Sequence, residues 1–307
     1  MAFPIHVIDR ARSTQFEQLG TKPKFWFDGG ACLFKGDVRG TGADWAEVVA
    51  AHLCCLLGLP HVEYQLAEST VDEVVDQRGV ICDNMAAGDG ELVLGNQYLL
   101  AIDSTYPSES RWKVSRHTVD AVCGALKFAT KPPAEWTRDS PVEVFDALGF
   151  FIGYAMLDAW IANQDRHHEN WGLLRVPKSS DLSLAPTFDH GAGMGCILTD
   201  EERSRRLSTK DAGYRVEAYC QKARSAFYGD ASDPGTLTTL EAYRRFAAEA
   251  PAAAGLWLER LQAVTQAQVL GILHEVPEDR MSSVCREFTC QLLTINQRRI
   301  LASADSA

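Results

Sequence analysis

The chain reads as an α+β protein in two lobes, on three observations. Short apolar runs separated by Gly and Asp turn signals fill the first hundred residues. Longer segments with apolar residues at helical spacing dominate from Ser140 onward. At 307 residues the chain is long enough to bury a core in each lobe.

The strand-rich lobe begins with Lys24 to Phe27, Asp28-Gly29-Gly30 and Ala31 to Lys35, a hairpin whose Asp-Gly turn supplies the positive φ angles it needs. A helix over residues 44–57 follows, with Asp44 as N-cap, Glu47 completing a capping box, and Gly58 and Pro60 as stops. Val62 to Ala67 and Val80 to Cys82 read as strands, Gly88-Asp89-Gly90 as a turn and Tyr98 to Ile102 as an extended piece. These make a small antiparallel sheet with one helix on it, residues 1–103.

Between Ser104 and Pro141 the chain turns polar and proline-punctuated, with one helix from Val119 to Phe128. Ser140-Pro141-Val142-Glu143 carries a cap serine, a first-turn proline and a capping-box glutamate, which predicts a helix to about Ala162. Its apolar length suits a membrane span, but Glu143, Asp146 and Asp158 favour a buried helix instead. Trp171 to Val176 and Leu184 to Phe188 are strand-like. Tyr214 to Phe227, Leu240 to Ala250, Ala253 to Val264 and Ser282 to Ala302 are helical, completing a mainly helical lobe over 104–307.

Apolar residues at 46% and charged residues at 23% fit an ordinary folded protein. No export signal precedes Arg10, and nine cysteines without a CxxC pair suit a reducing compartment, so the expected location is cytoplasmic. A net charge of −11 opposes general binding to nucleic acid. The basic run of Arg203, Arg205, Arg206 and Lys210 reads as a solvated helix face.

Chemistry concentrates just after the apolar helix, at Asn163-Gln164-Asp165-Arg166-His167-His168-Glu169-Asn170. A polar cluster between apolar segments is expensive unless fully paired or functional. Asp165 and Asn170 have the Asp-x4-Asn spacing of a kinase catalytic loop, in which the Asp serves the acceptor hydroxyl and the Asn holds a metal ion. Nineteen residues beyond Asn170 stands Asp189-His190-Gly191, where a kinase needs a carboxylate on Mg²⁺. Lys35, at the end of a strand, and Glu47, on the next helix, are candidates for the lysine and glutamate pair of a nucleotide site; a solvated lysine and a capping residue are the plainer reading.

Leu19-Gly20-Thr21-Lys22-Pro23-Lys24 reads either as a phosphate-covering loop or as a plain surface loop. His167 and His168 invite a metal, but adjacent loop histidines rarely reach one ion. His167 is therefore read as a phosphate contact or a support of the catalytic loop.

Several blocks in this order resemble the HipA-like kinases, bacterial serine/threonine kinases distantly related in fold to phosphatidylinositol 3/4-kinases. Gly20 to Trp26 is similar to that family's phosphate loop, Leu33-Phe34-Lys35 to its nucleotide-lysine strand, and Asp44 to Pro60 to its first helix. Arg78 to Cys82, with Ile81 and Cys82 beside the nucleotide, resembles its hinge-side strand, and Glu91 to Asn96 the segment after it. Asn163 to Gly172 and Leu184 to Gly191 resemble its catalytic and metal-binding segments.

The resemblance implies a two-lobed protein-kinase-like fold and the use of ATP and Mg²⁺. Asp165 would be the catalytic base, Asn170 and Asp189 the metal ligands, and the partners a protein substrate and a small antitoxin. Two departures stand out: the chain is shorter than full-length HipA-type toxins by an amino-terminal subdomain, and it offers only Thr21 where such kinases place an autophosphorylated serine. The machinery does not name its acceptor, so a small-molecule or lipid-headgroup kinase, or a nucleotide-binding pseudokinase, are the alternatives.

Overall fold

The computed structural model describes residues 2–16, 23–37, 40–86, 90–144, 146–175 and 181–304. Six strands form one sheet: β1 (Ile5–Asp9), β2 (Ser13–Phe16), β3 (Lys24–Phe27), β4 (Cys32–Gly36), β5 (Gln65–Val71) and β6 (Val74–Asp83). Their order is β1-β5-β6-β4-β3-β2. The expected antiparallel sheet is thus a mixed one, because β1, in a stretch with no turn signal to mark it, pairs parallel with β5.

The β3–β4 hairpin forms as its sequence predicts. Asp28, Gly29 and Gly30 all take positive φ (51°, 69° and 88°), and Lys24 pairs with Lys35. Helix α1 (Ala43–Leu57) packs on β5 and β6. Its cap is Gly42, not Asp44. The Asp37 carboxylate accepts from the Thr41 and Gly42 backbone N–H groups, which frees Asp44 to pair with Arg280 at 2.5 Å. At the far end Gly58 closes α1 in the left-handed conformation, as expected of a C-cap glycine.

A second sheet, β7 (Glu91–Leu94), β8 (Gly172–Arg175) and β9 (Leu182–Leu184), joins segments far apart in sequence. The piece expected to be extended at Tyr98 to Ile102 is helical, as α2 (Gly95–Ile102). After α3 (Val119–Leu126), the apolar helix α4 (Ala147–Ile161) begins six residues later than the Ser140 cap predicts. Asp146 caps it by accepting from the Gly149 backbone, while the Ser140 hydroxyl donates to the Gly58 carbonyl instead.

The remaining helices are α5 (Asp200–Ser208), α6 (Val216–Lys222), α7 (Thr239–Glu249), α8 (Pro251–Ala263), α9 (Gln266–Glu275) and α10 (Ser283–Ala304). α9 was not foreseen, and α6 is shorter than Tyr214 to Phe227. The main core surrounds α4, where Phe150, Phe151, Tyr154 and Trp160 meet Phe227, Phe246 and Trp257. Among the described residues no helix is long and apolar enough to cross a membrane.

Candidate active site

The site is built where the end of α4 turns back under the sheet. Ala162 takes a left-handed conformation (φ 52°) and reverses the chain into the polar loop. Arg166 then points back into the core. Its Nε and Nη2 each donate to the Asp158 carboxylate at 2.8 Å, and its Nη1 donates to the carbonyls of Asn170 (2.7 Å) and Phe188 (3.1 Å). One buried guanidinium thereby fixes α4, the loop and the segment after β9 that carries Asp189. Asn163 adds a hydrogen bond to Asp158.

Opposite this loop, Lys35 Nζ lies between two carboxylates, 2.6 Å from Glu47 Oε1 and 2.9 Å from Asp189 Oδ1. Lys35 and Glu47 are buried, whereas Asp189 keeps a quarter of its side chain exposed. Burial works against the Lys35 ammonium, but Asp189 and then Glu47 outweigh it and hold its pKa well above the usual lysine value. The Tyr64 ring lies 5.4 Å from Nζ. Glu47 is no capping-box residue, because its second oxygen accepts the His190 backbone N–H at 2.7 Å and ties α1 to the Asp189 segment. Asp189 has φ 59°, a left-handed conformation that costs a non-glycine residue about 1–3 kcal/mol and is typical of functional turns.

In the loop, Asn170 Nδ2 donates to the Asp165 carbonyl at 2.6 Å, leaving Oδ1 as the acceptor end of that side chain. Asp165 is 30% exposed, and the His167 Nε2 is 3.7 Å from its carboxylate. Because His167 Nδ1 accepts from the Glu169 backbone, the ring's proton belongs on Nε2, facing Asp165. Burial, helped by Arg111, lowers the His167 pKa to about 4. The buried ring is therefore uncharged at neutral pH.

Among the described residues no three His, Cys, Asp or Glu side chains form a metal cage. The donors on offer, an amide oxygen and two partly exposed carboxylates, are hard oxygens. They fit Mg²⁺, which takes few protein ligands and completes its shell with phosphate and water.

Of the residues singled out from sequence, Lys35, Glu47 and Asp189 come together, with Asp165, His167 and Asn170 on the loop tied to them through Arg166. Gly20, Thr21 and Lys22 lie outside the described residues. Ile81 and Cys82 separate. Cys82 shares the Lys35 face of the sheet, but the Ile81 side chain packs with Phe25, Phe27 and Phe34 on the other face. Asp158, Arg166 and Tyr64 were missed. An aspartate inside an otherwise apolar helix was the available signal, but its partner could not be read before the Ala162 turn was seen.

No family model matches the chain. The serine/threonine-protein kinase CtkA of Helicobacter pylori is 42% identical over 43 residues, a stretch that spans 14% of this chain and 13% of that protein. A crystal structure of the H. pylori proinflammatory kinase CtkA matches with TM-score 0.69 and 20% identity, over 97% of both chains. HipA of Shewanella oneidensis MR-1, in a toxin-antitoxin complex with HipB and operator DNA, matches with TM-score 0.57 and 12% identity, over 95% of this chain and 67% of that one. Likenesses of this extent, at these identities, establish the fold: the chain has a two-lobed, protein-kinase-like architecture.

Proposed function

We propose that the protein is an ATP- and Mg²⁺-dependent protein serine/threonine kinase. The observation that carries the reading is the buried Lys35 Nζ held between Glu47 and Asp189, since a lysine fixed by a helix glutamate beside a metal-binding aspartate is the nucleotide wall that phosphoryl transfer requires. Bound Mg·ATP would supply the phosphoryl group and neutralise its charge. Lys35 orients the α- and β-phosphates, Asn170 and Asp189 hold the metal, and Asp165 accepts the hydroxyl proton of the acceptor. His167 and Arg166 position Asp165 and the metal-binding segment.

The division of labour belongs to the same proposal. Residues 1–103 would supply the nucleotide wall, with Cys82 beside the base, and residues 104–307 the loop and the acceptor side. Pairing of β7 with β8 ties the two together. A small antitoxin partner fits the likeness to HipA, which was solved with HipB. A cytoplasmic location fits the nine cysteines, which form no disulfide among the described residues.

Incubation with γ-labelled ATP and Mg²⁺ tests the reading. Label should reach the protein itself or an added protein, and should vanish with a chelator, in Asp165→Ala and in Asp189→Ala. Undiminished transfer by both folded variants contradicts it. Label on small molecules alone would favour a metabolite or lipid-headgroup kinase.

A further inference from the structure

The flank of the loop next to Asp165 is cationic. Gln164 lines a pocket of about 240 Å³ with Arg206, Gly213, Tyr214, Tyr219 and Lys222, and no carboxylate lines it. The Gln164 side-chain oxygen accepts from the Arg224 backbone N–H at 3.4 Å, which holds the end of α6 against the loop.

Arg206 is clamped in place. Its guanidinium lies 4.2 Å from the Tyr214 ring centre and 5.1 Å from that of Tyr219, and Nη1 donates to the Tyr214 carbonyl at 3.3 Å. Its Nε is buried with no hydrogen-bond partner. Arg205 stacks over Tyr214 as well, at 4.6 Å, and Lys222 Nζ donates to the Gly213 carbonyl at 3.1 Å. Among the described residues none of Arg205, Arg206, Lys222 and Arg224 has a carboxylate within 4 Å, whereas the neighbouring Arg203 is paired with Asp200.

A solvated helix face does not account for this arrangement. A chain of net charge −11 here gathers four cations with no carboxylate within 4 Å among the described residues, Glu202 and Glu241 being the more distant acidic neighbours of Arg206 and Arg224, and two tyrosine rings pre-order one of the four. A planar guanidinium held in advance suits a carboxylate or a phosphate, because little entropy remains to be lost on binding.

We propose that this pocket selects the acceptor protein by receiving an acidic or phosphorylated side chain near the acceptor Ser or Thr. Gln164, the neighbour of Asp165 in sequence, lines the pocket, so the anion belongs on the acceptor peptide close to the acceptor residue. The inference rests on Asp165 being the catalytic base of a protein kinase. A pocket of about 240 Å³ suits one peptide side chain, and the net charge of −11 opposes a nucleic-acid strand.

Two measurements keep the pocket and the catalysis apart. The first is fluorescence anisotropy of labelled peptides with a central Ser, flanked by Asp, phosphoserine, Ala or Lys. The wild type should bind the anionic peptides at least about tenfold tighter than the Lys peptides. Lys222→Glu, at an exposed position, and Arg206→Glu should erase or invert that ratio, while Lys127→Glu, outside the pocket, should keep it. The second is the ratio of kcat/KM for acidic over basic peptides, which should follow the same order.

A wild-type ratio near one, or a ratio unmoved by both pocket variants, overturns the proposal. So does an RNA oligonucleotide bound in preference to every peptide, or inorganic phosphate competing as strongly as phosphopeptide. Anion-dependent binding that responds to Lys222→Glu without any transfer would uphold the pocket and remove only the kinase reading.

Discussion

The four hydrogen bonds of buried Arg166 join Asp158, Asn170 and Phe188. Arg166→Leu leaves the Asp158 carboxylate buried without its countercharge. Breaking such a pair should destabilise the protein by about 3–5 kcal/mol in urea titration. Arg166→Lys keeps the charge without the planar fork and should fall between. A loss below about 1 kcal/mol for Arg166→Leu would show that the pair is not what holds the loop. At this scale the sequence exposed the residues whose chemistry is explicit in type and spacing: Asp165, Asn170, Asp189, Lys35 and Glu47. It hid those that act through a fold-dependent partner. Asp158 was visible as an odd carboxylate, and Arg166 as one more loop charge, but only the left-handed Ala162 joins them.

Elements set the position of Lys35. β6 approaches β4 so closely at Gly79 that a Cβ there would land on the Lys35 carbonyl. Gly79→Ala must push the strands apart beneath the ammonium. It should raise the KM for ATP several-fold, with a smaller effect on the melting temperature, and an unchanged KM would contradict this link between strand spacing and nucleotide binding. Element types were legible where local signals and tertiary contacts agree, as in the β3–β4 hairpin and at Gly58. They were misread where a distant contact takes the signal over. Ser140 looks like a helix cap, but its hydroxyl is spent on Gly58. Tyr98 to Ile102 looks like a strand, since a five-residue apolar run cannot be told from a helix turn by periodicity alone. β1 has no hairpin of its own and owes its pairing to β5.

Across the whole molecule, folding encloses several histidines in their neutral form. Burial holds His117 down to about 3 and His167 and His168 to about 4, and drives His190 well below the ordinary imidazole value of 6.5. As pH falls below about 6.5 the unfolded chain takes up protons that the folded chain refuses, so stability is lost on acidification. Each histidine kept fully neutral contributes up to about 1.4 kcal/mol per pH unit in that window, until its folded value is reached. Urea midpoints should therefore drop markedly between pH 7.5 and pH 5.5, and equal midpoints would mean that these rings titrate normally in the fold.

The two-lobed organisation was legible from the change in periodicity along the chain. In the small sheet β8 falls within the strand expected from Trp171 to Val176, whereas β9 ends at Leu184, where the expected Leu184 to Phe188 strand was to begin, and the partner β7 was hidden because it lies nearly eighty residues before β8.

In the proposed mechanism Lys35, Asp189 and Asn170 would hold Mg·ATP while Asp165 would act only on the acceptor. Mg·ATP binding and phosphoryl transfer measured side by side in Asp165→Asn separate these roles. The isosteric change should leave the nucleotide affinity within about twofold of wild type and lower transfer by about 10²–10⁴, the range of a lost general base. Transfer at the wild-type rate by a folded, nucleotide-binding Asp165→Asn protein would contradict that mechanism.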